Sequence, residues 1–288
     1  MSGGGYLGRL LRLATIALIL FGLPACSGFR LLYSFADTYI IDAAESYLDP
    51  DDAEQQHIEI KTQQFLAWHT RIMLPRYARY LSLSAKRIEA GTVDRDWAAK
   101  RTQDARELLS EVVFGAAPFA ADVLVRYTSP AKIERLSQRL DERLAEQHEK
   151  MASPRDERRA QRQKRIAKNF ERFTGPLEKA QLAVIESYVA ASADAGRRWL
   201  ETRAKRQRAF LDFLSQQPDE ARIATFIPQI LLHGHEIVDP EYGAITERRW
   251  TAIADLIFGV LSTLDAEQRR KTVRSLRDYA ADMRKMAS

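Results

Sequence analysis

The segment HGHEIVDPEYG, residues 233–243, carries the side chains best suited to binding a metal ion. His233 and His235 are followed by Asp239 and Glu241, and imidazole nitrogens and carboxylate oxygens are zinc ligands. The two histidines are too close in sequence to share one helix face, so a loop would have to bring the ligands together. Histidines in a polar loop are more often solvated. The sequence therefore favours a solvated loop and no metal cofactor, with zinc binding as the alternative.

A second candidate for chemistry is His69, which follows Trp68 on the apolar face of a predicted helix. An imidazole in a cleft can act as a general base. A core histidine that hydrogen-bonds to a neighbouring helix is the more common outcome and the one we favour. The sequence contains no Gly-x-Ser-x-Gly elbow and no glycine-rich phosphate loop. We predict a protein that is not an enzyme, and an enzyme with a site around His69 or the His233/His235 loop is the alternative.

Aromatic and basic side chains surround Pro75. Trp68, His69, Arg76 and Tyr77 lie within ten residues of one another. The group has two interpretations, internal packing or, if its side chains are exposed, a surface that binds a partner or a glycan.

The most polar stretch of the chain is RDERRAQRQKRIAK, residues 155–168. Its cations could bind acidic surfaces such as lipid headgroups, anionic glycans or acidic client polypeptides. At helical spacing they are also typical of a solvated face, which is the more common case. A second basic stretch covers residues 197–208. The candidate partner-binding residues in the first stretch are Arg158, Arg159, Arg162, Lys164 and Arg165.

The N-terminus has the organisation of a secretory signal. Arg9 and Arg12 precede an apolar run that ends near Phe21, and small residues follow it. The run is shorter than the roughly 20 apolar residues that a membrane span needs. We therefore predict that residues 1–25 are a signal peptide that is removed.

The only cysteine of the 288 residues is Cys26, and Leu23-Pro24-Ala25-Cys26 resembles the lipobox of bacterial lipoproteins. This resemblance implies that Cys26 carries covalent lipid, including palmitate, and becomes the first residue of the mature chain. Several acyl chains anchor a protein durably. Ser27 stands where lipoproteins retained in the inner membrane have aspartate. The expected location is the periplasmic face of the outer membrane, where the absence of further cysteines fits a chain without disulfides.

Composition predicts an all-α protein. Residues with high helix propensity dominate, and glycine and proline are scarce. The charges are nearly balanced, with 44 lysines and arginines against 39 aspartates and glutamates. A pI near 9.3 could suggest a nucleic-acid partner. Because export would separate the protein from most of the nucleic acid in the cell, we predict no nucleic-acid partner. No small-molecule substrate is indicated.

Apolar residues at three-to-four spacing predict helices along the whole of residues 26–288, which we interpret as a single periplasmic domain. Breaks are expected at residues 49–52, 91–94, 115–118, 174–176 and 216–219, with a kink at Pro75. Two long polar helices joined at Ser153-Pro154 predict a projecting antiparallel hairpin over residues 130–173. The expected architecture is an extended multi-helix bundle.

Two segments, YLDPDDAEQQ (residues 47–56) and FLAWHTRIMLPRYARYL (residues 65–81), are similar to an uncharacterised family of Gram-negative lipoproteins, domain of unknown function 6279. The resemblance covers most of the mature chain and implies an all-helical lipoprotein at the outer membrane, without a known activity. More weakly, residues 264–269 resemble the LTxxQ element of periplasmic stress-sensing chaperones, although an aspartate followed by glutamine is also an ordinary helix start. We expect a non-enzymatic binding, chaperone-like or envelope-interaction protein.

Overall fold

The computed structural model describes residues 25–192 and 195–288, and every regular element in these residues is helical. The predicted all-α class and multi-helix bundle are therefore confirmed. The predicted signal peptide, residues 1–25, lies outside the described residues apart from Ala25. In chain order the helices are α1 (Ala25–Tyr33), α2 (Ala36–Leu48), α3 (Asp52–Trp68), α4 (Leu74–Glu89), α5 (Arg95–Leu124), α6 (Pro130–Ala152), α7 (Arg155–Thr174), α8 (Lys179–Ala191), α9 (Ala195–Ser215), α10 (Glu220–Leu232), α11 (Gly234–Val238), α12 (Tyr242–Ser262) and α13 (Ala266–Ala287).

Aspartate side chains start four of these helices. Asp51, Asp94, Asp219 and Asp265 each accept a hydrogen bond from the backbone N–H three residues later. Such caps satisfy a backbone donor that the first turn leaves without a partner. Asp265 also forms a reciprocal capping box with Gln268. The stretch that resembles the LTxxQ element is therefore accounted for as the start of α13.

The predicted kink at Pro75 takes the form of a π-helical turn, His69–Met73, between α3 and α4. The N–H of Leu74 donates to the carbonyl oxygen of His69, five residues back. Proline has no N–H to donate. The wider turn shifts the backbone hydrogen bonds just before it from a four-residue to a five-residue spacing.

The predicted break at residues 115–118 is wrong, because α5 continues through Pro118. Ala117 and Ala121 are buried in an apolar cluster with residues of α6, α9 and α10. One proline removes a single backbone hydrogen bond, and this burial keeps the helix continuous. Residues 95–127 are also the one described stretch that is long and apolar enough to cross a membrane. We describe α5 as part of the bundle, since α3, α10 and α12 pack along it.

The packing within residues 130–173 differs from the expected antiparallel hairpin. α6 packs on α9 and α2, whereas α7 packs on α8 and α13. The reason is that the two apolar stripes are buried in different clusters. Leu136 of α6 belongs to the cluster shared with α5, α9 and α10, and Ala167 of α7 belongs to one built around Ile185 and Val260. The two helices therefore diverge from a corner at Ser153-Pro154. They do not pair along their whole length, as the predicted hairpin required.

The bundle is completed by α13, which lies along α4 and α1. Leu74 and Ala280 form its buried contact with α4, and Phe29 and Tyr33 of α1 pack against the same cluster. Before the first predicted break, at residues 49–52, the chain forms two helices, α1 and α2, and not one. Near this division the side chains of Leu32, Phe35 and Tyr39 are 59%, 46% and 77% exposed.

Candidate functional site

The cationic cavity, our name for a space of about 410 Å³, opens at the corner between α6 and α7. α8, α9 and α12 supply its other walls. Seven of its lining side chains are cationic, and none of the described lining residues is a carboxylate. The lining residues are Lys150, Met151, Arg155, Arg158, Arg159, Gln161, Arg162, Arg165, Val189, Ser192, Gly196, Trp199 and Arg249.

One face of α7 supplies most of the charge. Arg155, Arg158, Arg159, Arg162 and Arg165 each lie three or four residues from another member of the set, which places them along one side of a helix. The opposite side of α7 is buried through Ala167 and its apolar neighbours in the cluster shared with α8 and α12. The burial of one face therefore fixes the direction of the arginine face. Because α6 diverges from α7, the arginines face an open space and not a packed helix.

Two of the partly buried arginines of this face, Arg158 and Arg162, are bonded to neutral groups. Arg158 donates to the carbonyl oxygens of Met151, at 2.9 Å, and Ser153. Arg162 donates to the carbonyl oxygen of Ser192 at 3.3 Å and lies over the ring of Tyr188. These contacts hold the guanidinium groups in place without neutralising their charge.

Of the other cations of the face, Arg155 and Arg165 are exposed and Arg159 is partly buried. Arg159 approaches Asp156 only at 4.0 Å, and that carboxylate is 97% exposed. Arg165 forms no ion pair with any residue that the structure describes. The cavity therefore concentrates positive charge.

Four of the five candidate cations on α7, namely Arg158, Arg159, Arg162 and Arg165, line this cavity, and Lys164 does not. Sequence reasoning missed Lys150, Trp199 and Arg249, which reach the cavity from α6, α9 and α12. No local pattern marks these three residues, because only the packing of distant helices brings them to α7.

The aromatic cluster, defined here as Tyr33, Trp68, His69 and Tyr77, is by contrast bonded internally. The hydroxyl of Tyr33 lies 2.9 Å from Nδ1 of His69 and 3.0 Å from the hydroxyl of Thr70. The hydroxyl of Tyr77 lies 3.3 Å from Nε2 of His69. A neutral imidazole donates from one nitrogen and accepts at the other, which suits two hydroxyl partners. This is the core-histidine arrangement that the sequence favoured.

Burial shifts the titration of this cluster. It lowers the pKa of His69, and it raises the pKa of Tyr77 to about 12, with a further contribution from Tyr33 and Glu111. Both shifts favour the neutral form, as expected for groups removed from water. Both ring nitrogens of His69 are occupied by tyrosines, which is not the carboxylate-oriented geometry of a general base.

The remaining members of the Pro75 group also have partners within the chain. The ring of Trp68 lies against Gly115, where an added Cβ would come within 2.0 Å of it. Arg76 forms an ion pair with Glu111. The structure therefore assigns Trp68, His69, Arg76 and Tyr77 to contacts between helices, and none of them lines the cationic cavity.

The histidine segment at residues 233–243 is partly helical, through α11, where a loop was predicted. His233 lies 2.9 Å from Glu236, and His235 lies 3.9 Å from the same carboxylate. Asp239 is buried and accepts hydrogen bonds from Arg198 at 2.7 Å and Thr202 at 3.1 Å. Within the described residues no group of three or more potential ligands could hold a metal ion.

The comparisons with known proteins give a family and no function. Residues 46–236 match the family of unknown function DUF6279, and this range contains both segments on which the resemblance was based. No curated protein and no solved structure matched the chain. The match extends over α3 to α10 and includes the arginine face of α7, although not Arg249. Because it spans well over half of the sequence, the chain belongs to the DUF6279 family.

Proposed function

We propose that this protein is a non-enzymatic, lipid-anchored protein of the bacterial envelope that binds an anionic ligand in the cationic cavity. The observation that carries the proposal is the lining of that cavity, with seven cations from three helices and no carboxylate among its described residues. Arginine fits the geometry of phosphate and carboxylate groups through paired N–H donors. We therefore expect the ligand to carry phosphate or carboxylate groups.

The electrostatics of the cationic cavity support a ligand. Like charges that approach each other raise the free energy of the folded state. Exposure lowers this cost but does not abolish it. A bound anion would turn the repulsion into attraction. The volume of about 410 Å³ falls in the usual range for small-ligand sites, and the polar lining suits a charged group better than an apolar molecule.

The anchor belongs to the same proposal. Cys26 lies in the first turn of α1, at the position that the lipobox resemblance marks for lipid attachment. The exposed side chains of Leu32, Phe35 and Tyr39 follow within thirteen residues of it. Apolar and aromatic side chains so close to an anchor suit a helix pair that rests on a membrane surface. We propose the periplasmic face of the outer membrane as the location.

Titration calorimetry of the full-length protein with inorganic pyrophosphate tests the ligand proposal. Arg165→Glu reverses a charge of the cavity, and Lys164→Glu reverses the neighbouring charge outside it. We expect the first variant to bind about tenfold more weakly or worse, since a hydrogen bond to a charged group contributes about 1.5–3 kcal/mol. The second should bind as the wild type does. Equal affinities of the two variants, or no binding by any of the three proteins, would contradict the proposal.

Labelling of growing cells with radioactive palmitate tests the anchor. The wild type should incorporate the label and Cys26→Ser should not. Label in the Cys26→Ser variant would show that this cysteine is not the attachment site, and the cavity experiment would remain unaffected.

A further inference from the structure

One face of α9 connects the cationic cavity to a second space, which we name the apolar groove. Gly196 and Trp199 line the cationic cavity, and Arg203, Arg206 and Phe210 line the groove. These residues follow one another at intervals of three or four, so they lie along a single side of the helix. From Trp199 to Phe210 the helix axis rises by about 16 Å. The two spaces are therefore consecutive along α9.

The groove, with a volume of about 340 Å³, is apolar along most of its walls. α5, α6 and α10 provide these walls around the α9 face. Its apolar lining residues are Ala120, Leu124, Leu140, Phe210, Ile227, Ile230 and Leu231.

Polar groups without partners lie on the α9 wall of the groove, on the side of the cationic cavity. The Nε atoms of Arg203 and Arg206 and the Oε1 atom of Gln207 are buried and have no hydrogen-bond partner among the described residues. Neither arginine forms an ion pair within the described part of the chain. Arg203 stacks on Trp199, with its guanidinium carbon 5.5 Å from the ring centre. Buried polar atoms without partners are uncommon in folded proteins, and a water molecule or a ligand group can satisfy the two donors at this point.

We propose that the ligand of this protein is an anionic lipid, with its phosphate-bearing head group in the cationic cavity and an acyl chain in the apolar groove. The inference rests on the proposed function, since it identifies the source of the anion. Charge complementarity favours this occupant, because cations line the first space, two arginines follow Trp199 along the α9 wall of the groove, and apolar side chains line most of the second space. Each methylene buried in the groove adds favourable free energy. Lipid anchoring would hold the domain beside a source of such molecules.

The test uses full-length protein reconstituted in phosphatidylcholine nanodiscs, with empty nanodiscs as the blank. Two soluble probes are titrated, glycerol phosphate, which has no acyl chain, and dihexanoyl phosphatidic acid. We expect the lipid probe to bind at least tenfold more tightly, since burying even two methylenes already gives about this factor. Dihexanoyl phosphatidylcholine, whose head group is zwitterionic, should bind more weakly than the phosphatidic acid.

Leu231→Gln places a polar group on the exposed rim of the groove, where Leu231 is 57% exposed. It should weaken the binding of phosphatidic acid and leave that of glycerol phosphate unchanged. Leu83→Gln is the matched control, because Leu83 is 44% exposed on α4 and lines neither space. Equal affinities for glycerol phosphate and phosphatidic acid, with no effect of Leu231→Gln, would overturn the lipid inference and leave anion binding standing. Failure of both probes to bind would overturn both proposals.

Discussion

The aromatic cluster and the cationic cavity differ in what their polar atoms are bonded to. In the aromatic cluster the two nitrogens of His69 are taken by the hydroxyls of Tyr33 and Tyr77. In the cationic cavity Arg158 and Arg162 bond to neutral carbonyl oxygens, and Arg165 forms no ion pair with a described residue. Both regions contain residue types that suggested a site. Only the second has binding capacity that its own chain does not use.

The difference separates residues that stabilise the fold from residues that are free to bind a ligand. A fully satisfied polar network rigidifies a contact between helices. An exposed charge that lacks a counter-charge, such as that of Arg165, adds little stability to the free protein. The two regions should therefore respond oppositely to mutation, with large effects on stability in the aromatic cluster and small ones in the cavity.

The largest loss of stability is expected from Trp68→Ala. The ring packs against Gly115 and stacks on Phe65, and truncating a packed tryptophan costs about 3–5 kcal/mol. Since part of the ring is exposed, the lower end of this range applies. Denaturant unfolding measures the change. A loss near zero would show that Trp68 is a surface residue and would remove the contrast with the cavity.

Gly115→Ala extends this test by a double-mutant cycle. An added Cβ would come within 2.0 Å of the Trp68 ring, and such overpacking costs about 1–3 kcal/mol. In the Trp68→Ala background the clash is absent, and replacing glycine by alanine inside a helix should stabilise by up to about 1 kcal/mol. The substitution should therefore change sign between the two backgrounds. The same sign in both would exclude a close contact of Trp68 with Gly115.

Tyr33→Phe should lower the free energy of unfolding by about 1–2 kcal/mol. It removes a hydroxyl that serves both His69 and Thr70, and lost hydrogen bonds of partly buried groups have costs of this size. Tyr39→Phe is the matched control, because Tyr39 is 77% exposed. Thermal and denaturant unfolding of the two variants should separate them. Equal effects would indicate that the hydroxyl of Tyr33 adds nothing to the aromatic cluster.

Acid should lower the free energy of unfolding through His69, by a smaller amount than the Tyr33→Phe substitution does. Burial lowers the pKa of His69, so the unfolded chain binds more protons than the folded chain once the pH falls below the ordinary histidine pKa of about 6.5. Stability that is complete above this value is therefore lost as the pH decreases. Unfolding experiments at pH 7.5 and 5.5 should show a smaller decrease in His69→Gln than in the wild type. Equal decreases would show that His69 is not the titrating group.

The smallest effects on stability belong to the cavity. Arg165→Glu and Lys164→Glu should each change the free energy of unfolding by no more than about 0.5 kcal/mol, as is usual for exposed side chains. Relief of repulsion between the arginines makes Arg165→Glu the more stable of the two variants. If Arg165→Glu instead unfolded the protein, the arginine face would contribute to the fold and would lose its status as a binding surface.

Helix starts were the most predictable part of the fold, because caps depend on neighbours in sequence. Asp94 and Asp265 each bond to the backbone three residues ahead, and a single sequence contains this information. The continuity of α5 through Pro118 was not predictable in this way. It depends on the burial of Ala117 and Ala121 in a cluster that includes Leu214 and Ile223, more than ninety residues away.

The site was predictable only in part, for the same physical reason. Helical spacing alone places Arg158, Arg162 and Arg165 on one face of α7. Whether that face meets another helix or open space depends on the clusters that bury the apolar stripes of α6 and α7. Lys150 and Arg249 could not be assigned before that packing was known.

The π-helical turn at His69–Met73 sets the direction in which the side chains of α4 point relative to those of α3. Each residue of an α-helix turns the next side chain by about 100°, so one extra residue in a turn rotates everything that follows by that angle. α3 thereby directs its contacts to α2 and α5, and α4 directs its contacts mainly to α13. Deleting one residue from this turn would therefore rotate the whole apolar face of α4 away from α13. A one-residue gap at this point in a related sequence would predict a different partner for the helix that follows.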